Sequence, residues 1–356
     1  IKSTVHESNE ELFSLALGKI VCPRPSLLAP LLLLAAHITR GAFAATPLGF
    51  VRVVSQGPQT AGFHKALTIS PRRLANLNNP AALDAMSFQK IFDKDLAVSE
   101  PNPAWFGNGA NEQSPNWTNA NWLKSRFHFS FAEYNNPRNS HYGVLRVMND
   151  DLVQPSRGFG THPHREMEIV TYVVDGELSH ADSMGTEETL GRGSIQFMTA
   201  GTGVQHSEHN RHPSNPLRFI QMWVMPATRG LKPNYGSMHG DKVASSRQNA
   251  FAHLVSDVKN SAVSTPVEIN QDCNIYVTEL SNGSSVDMKI DSGRQAYMLC
   301  MEGGCEVGGA HGEEKLVRHD AAEVVGPTNL RVKANQEGAH VLLVEMKGNG
   351  DGSRFG

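Results

Sequence analysis

Two short segments concentrate the side chains able to do metal chemistry. One carries His162 and His164, the other His206 and Glu208, and each pair is spaced two residues apart beside a glycine-rich turn. On a β-strand, side chains two apart leave the same face, so each pair points in one direction. Two strands with their pairs turned inward supply four donors to a single ion. Three imidazoles and one carboxylate suit a divalent metal that keeps open positions for water or substrate. The carboxylate has three candidates, because Glu166 and Glu168 share face parity with His162 and His164 just as Glu208 does with His206. His209 has the wrong parity for the inward face. Pro163 cannot donate to a sheet ladder, which places the first pair at a strand entry rather than mid-sheet.

These donors need a rigid β scaffold, and the pattern around them supplies one. Short alternating segments at 127–131, 142–148, 168–174, 194–198 and 217–224 are separated by turn signals such as Asp175-Gly176 and Gly191-Arg192-Gly193. A second set follows at 251–255, 274–280, 285–290, 295–301, 322–325, 330–334 and 340–346. The expected fold is all-β, two tandem jelly-roll-like barrels. The first is assigned to residues 97–226, an inter-domain connection to 227–241, the second barrel to 242–347 and a flexible tail to 348–356. His311, His319 and His340 are scattered without paired spacing, so the second barrel is expected to carry no metal site. Cys300 and Cys305 flank Met301-Glu302-Gly303-Gly304 and are placed near a hairpin turn.

The 356 residues suffice for two domains, and the formal net charge of -3 gives no global reason to expect a nucleic-acid or membrane-surface partner. Residues 1–96 differ in texture, with ten Lys/Arg against six Asp/Glu, and contain an apolar run of ten at 27–36, too short to span a bilayer. Small residues at 41–46 follow it, and 48–94 are poor in acids. That order of features is read as a signal and transit presequence with a linker, resembling the bipartite plastid leaders of algae; the cytoplasm is the other location considered. The four cysteines form no disulfide framework and read as reduced thiols. Sequons at Asn116 and Asn282 are expected to stay unmodified.

The two histidine segments resemble the paired motifs of the pirin family within the cupin superfamily. The likeness runs from Gly158 through His162, His164 and Tyr172 to His180 and Ser183, and from Met198 to Glu208, with flanking agreement at 122–126, 129–134, 145–151 and 221–224, while Arg126-Phe127-His128-Phe129 departs from the His-Thr pair common in the bacterial branch. It covers residues 120–346, closest to the bacterial quercetinase-like branch. The resemblance implies a bicupin whose N-terminal barrel binds one iron through His162, His164, His206 and Glu208, with Glu168 behind a ligand histidine. Ni, Cu, Mn, Co and Zn compete for such a site on donor type alone. The implied activity is a dioxygenase acting on quercetin or a related phenol with O2, with Glu208 as general base. Phe129, Phe131, Phe159, Met198 and Trp223 are the candidates to line an apolar mouth. The other function the family implies is an Fe(II)/Fe(III) redox sensor working through a protein partner. The chain is expected to act as a monomer.

Overall fold

The computed structural model describes residues 88–109, 122–309 and 312–348. The leader up to residue 87, Cys22, the first sequon, His311 and the tail from 349 lie outside the described residues. Among the described residues no helix is long and apolar enough to cross a membrane.

The strands run in chain order as β1 (Phe88–Ile91), β2 (Ala97–Ser99), β3 (Leu123–Phe127), β4 (Leu145–Val153), β5 (Arg157–His164), β6 (Glu168–Asp175) and β7 (Leu178–Asp182). Then come β8 (Glu187–Leu190), β9 (Ile195–Thr199), β10 (Val204–Asn210), β11 (Leu217–Val224) and β12 (Asn234–Met238). The first barrel joins a seven-stranded sheet ordered β12-β9-β6-β11-β4-β3-β2 to a four-stranded sheet ordered β5-β10-β7-β8. The second barrel is built from β13 (Ala252–Asp257), β14 (Val267–Ile269), β15 (Cys273–Leu280), β16 (Ser285–Ile290), β17 (Arg294–Gly309), β18 (Gly312–Val317), β19 (Ala321–Val325) and β20 (Thr328–Lys347). Two all-β cupin domains in tandem are therefore the architecture.

β6 and β11 read as nearly unbroken apolar runs because both of their faces are covered. Val173, Leu217 and Phe219 enter a core inside the first barrel with Trp122, Leu178 and Leu190. Val170, Tyr172, Ile220 and Met222 point the other way and share one core with Leu254, Ile275, Val277, Tyr297, Leu342 and Val344 of the second barrel. The two domains thus meet through continuous apolar packing rather than a wet seam.

Polar pairs are threaded through that interface. Arg218 donates to both carboxylate oxygens of Asp150, at 2.8 and 2.7 Å, and to the Met301 carbonyl at 2.6 Å. His319 Nδ1 lies 2.7 Å from Asp150 as well. The Arg218 guanidinium, outweighing the opposing effect of burial, holds the Asp150 carboxyl well below the usual carboxylate range. His128 Nδ1 meets the Tyr297 hydroxyl, and His340 Nε2 meets that of Tyr172, each at 2.9 Å.

Four boundaries differ from the sequence expectation. The presequence and linker were drawn to residue 96, yet β1 pairs with β19 of the second barrel and Phe88 enters its core. Lys90 reaches Asp320 at 2.9 Å and Arg126 reaches Asp93 at 2.6 Å, while β2 pairs with β3, so this segment straps both barrels. The assigned connection 227–241 contains β12, an edge strand on β9, and so belongs partly to the first barrel. Cys300 and Cys305 sit within β17, where irregularities in its pairing with β20 replace the expected hairpin turn. The segments 330–334 and 340–346 are one bent strand, β20, with Gly338 at φ +81°.

Asp150→Asn should strip the buried Arg218 of its counter-charge and lower unfolding stability by about 3–5 kcal/mol. Urea denaturation followed by intrinsic fluorescence measures this; a loss below about 1 kcal/mol would show the pair to be incidental to the interface.

Candidate metal centre

β10 is the central organiser of the site. Its residues alternate in exposure, with Val204, His206, Glu208 and Asn210 buried and Gln205, Ser207 and His209 more exposed. His206 and Glu208 therefore share the lumen face, as their spacing requires. On one flank β5 places His162 opposite His206 and His164 opposite Val204. On the other flank β7 places His180 opposite Glu208. Pro163 is tolerated because β5 is the edge of its sheet.

The register between β5 and β10 slips between His206 and Glu208, where an additional residue on β5 forms a bulge after Phe159. Gly158 faces that slip. A Cβ there would overlap the Glu208 carbonyl oxygen and stand 2.6 Å from His209 Cα, so only glycine lets the two backbones approach.

His162, His164 and His206 come together with one donor atom from each inside a 4.8 Å span. His162 Nδ1–H donates to the Gly160 carbonyl at 2.7 Å, which leaves Nε2 as its lone pair. That Nε2 lies 3.1 Å from His206 Nε2. Adjacent nitrogen donors on metal–nitrogen bonds of roughly 2.1 Å stand about 3 Å apart, so this spacing fits a shared ion. Burial pushes all three imidazoles down from their ordinary value, keeping them neutral and able to donate. The donor set fits a divalent metal.

Glu208 belongs to a second, overlapping group with His180 and His206, again within 4.8 Å. Gln196 donates to one carboxylate oxygen at 2.9 Å and Gln221 to the other at 2.8 Å. The Thr171 hydroxyl donates to the Gln221 carbonyl oxygen at 2.6 Å and so fixes that amide. Burial pushes the Glu208 carboxyl up to about 7 despite these donors.

The other two carboxylates lie elsewhere. Glu166, at φ +53°, turns away and accepts the Gly230 N–H. Glu168, expected behind a ligand histidine, instead accepts from Thr199 at 2.8 Å and Asn270 at 3.2 Å, tying β6 to β9 and to the second barrel. Among the residues that sequence reading missed is His180. Its signals were the parity it shares with Asp182 and a strand address beside the second motif.

Aromatic rings wall the centre. Trp223 lies 4.9 Å from the His164 ring, and Phe131 backs Trp223 at 5.3 Å. Phe159 and Phe106 stand 6.4 and 5.8 Å from His162; Phe106 was not anticipated. Phe129 packs on Tyr297 in the interface core instead of at the mouth. Both groups of potential ligands found among the described residues lie in the first barrel.

Asp151, buried on β4, is a further titratable group near Glu208. Burial first, and the charges of Asp150 and Glu208 next, push it up to about 8, with the Ser125 hydroxyl opposing. A carboxyl whose folded pKa exceeds its unfolded value binds more protons folded, so its stabilising effect is lost as pH rises from about 4 to 8. Asp151→Asn should therefore raise the metal-free melting temperature, and by about 3–6 °C more at pH 8.5 than at pH 5. Thermal unfolding by circular dichroism checks this; equal shifts at both pH values would place the effect in packing.

Residues 110–224 match the family model described as Pirin, and residues 256–346 match that described as Quercetinase C-terminal cupin domain. Among curated relatives, the quercetin 2,3-dioxygenase of Escherichia coli (strain K12) is 36% identical over 228 residues, 64% of this chain and 93% of that protein. A pirin-like protein of Caulobacter vibrioides is 34% identical over 222 residues, 62% of this chain and 92% of its own length. Among solved structures, the bacterial pirin YhhW from Escherichia coli in complex with nickel(II) aligns with a TM-score of 0.60 at 26% identity, covering 73% of this chain and 99% of that one. With its paired motifs on adjacent strands of the first barrel and relatives matched over nearly their whole length, the chain belongs to the pirin family.

Proposed function

We propose that the first barrel binds one divalent metal, with Fe(II) the expected ion, through His162, His164, His206 and Glu208. We further propose that the chain is a dioxygenase acting on a flavonol such as quercetin, or a similar enolisable phenol, with O2. The observation that carries the metal reading is the convergence of His162 and His206, whose Nε2 atoms stand 3.1 Å apart in a part-buried cluster of neutral imidazoles. When bound, the metal supplies Lewis-acid polarisation of the substrate oxygens and access to O2.

The remaining work falls to the chain's own side chains. Glu208, the carboxylate of the set, would take the phenolic proton. Gln196 and Gln221 aim its two oxygens and would keep holding them as the carboxyl changes charge. Gly160, through its carbonyl, fixes the tautomer and orientation of His162. Trp223, Phe159 and Phe106 exclude water from the space beside the histidines, where a flat aromatic substrate would find ring faces to pack against.

The test is oxygen consumption by the Fe(II)-loaded chain on adding quercetin, beside His162→Ala. The variant should lose metal and oxygen uptake together while keeping its melting cooperativity, since the barrel cores at Leu178 and Phe219 do not depend on the ion. Uptake that persists in a metal-depleted His162→Ala protein would sink this reading.

A further inference from the structure

His180 has the features of a metal donor, although the proposed ligand set does not use it. Its side chain is fully buried. Asp182 binds the Met184 and Thr186 backbone N–H groups through Oδ1, at 2.8 and 3.1 Å. This leaves Asp182 Oδ2 to accept from His180 Nε2–H at 3.1 Å. With the proton held there, His180 Nδ1 is a bare lone pair, and it is buried with no hydrogen-bond partner. A histidine with one ring nitrogen held by a carboxylate and the other buried without a partner, grouped with His206 and Glu208, has the form of a metal ligand with its supporting partner.

The ring is also held in place. It stacks on Tyr235 at 4.6 Å and 23°, and Tyr235 is tethered by donating to Glu188 at 2.8 Å. His180 stands directly across from Glu208 on neighbouring strands, and the His206 ring lies 5.4 Å away. His206 is thus shared by two three-residue groups, one reaching towards β5 and one towards β7.

We propose that His180 is a further metal donor of this centre, exchanging with Glu208 for the fourth protein position while His162, His164 and His206 stay in place. This inference rests on the metal reading of the first barrel and adds to it a second way of completing the donor set.

The test uses nickel(II) as probe on the full chain, with affinities measured by chelator competition. Glu208→Gln and His180→Gln should each weaken binding by no more than about tenfold, and the double variant by about a thousandfold or more, well beyond the product of the singles. X-ray absorption of the nickel-loaded proteins should count three imidazoles in the wild type and four in Glu208→Gln. The latter measurement leaves His180 untouched and does not depend on how its substitution folds. A double variant equal to the product of the singles, or three imidazoles in Glu208→Gln, would overturn the proposal while leaving the metal reading intact. Absence of nickel binding by the wild-type chain would overturn both.

Discussion

Burial of both faces of β6 and β11 is the constraint on which the rest of the molecule depends. A strand has only two faces. Here one carries Thr171, Gln221 and Trp223 into the lumen, and the other carries Tyr172, Ile220 and Met222 into the core shared with the second barrel. The site's supports are therefore clamped from behind by packing outside their own barrel. Thr171 and Gln221 can hold Glu208 to a fixed geometry because the strands bearing them have no solvent side on which to relax.

The second barrel acquires a physical role from this arrangement. Tyr297 and Leu299 form the other half of the shared core, and Glu168 reaches across to Asn270. Arg218, paired with Asp150 on its own barrel, also donates to the Met301 carbonyl of the second and so ties the two together. The C-terminal cupin serves as the wall against which the site strands are pressed.

Much of this was legible in the sequence because period-2 spacing is a strong constraint. His162 with His164, and His206 with Glu208, could share a face only as strands, and the structure puts both pairs inward. The limits of legibility were equally physical. Glu166, Glu168 and Glu208 all had acceptable parity, and only the tertiary path of the chain turns Glu166 towards Gly230 and Glu168 towards Thr199. His180 was hidden because its partner Asp182 is ordinary in sequence and its meaning comes from lying beside Glu208 across a ladder. Tyr235 was missed for a related reason. Its Gly- and Pro-bearing surroundings read as a connection, yet the edge of β9 was open to receive one more strand. The strap at Phe88 was unreadable because its partner strand lies more than two hundred residues away.

That strap has a consequence for the time at which the molecule can be finished. β1 is among the first described residues to be synthesised, while β19, the strand it joins, begins at Ala321. At ribosomal rates of roughly 5–20 residues per second, β1 waits on the order of ten seconds or more for its partner. The first barrel can close its own sheets during that interval, with β2 already on β3. Phe88 and Lys90 can lock only once β19 and Asp320 have been made, so an early segment is fastened late.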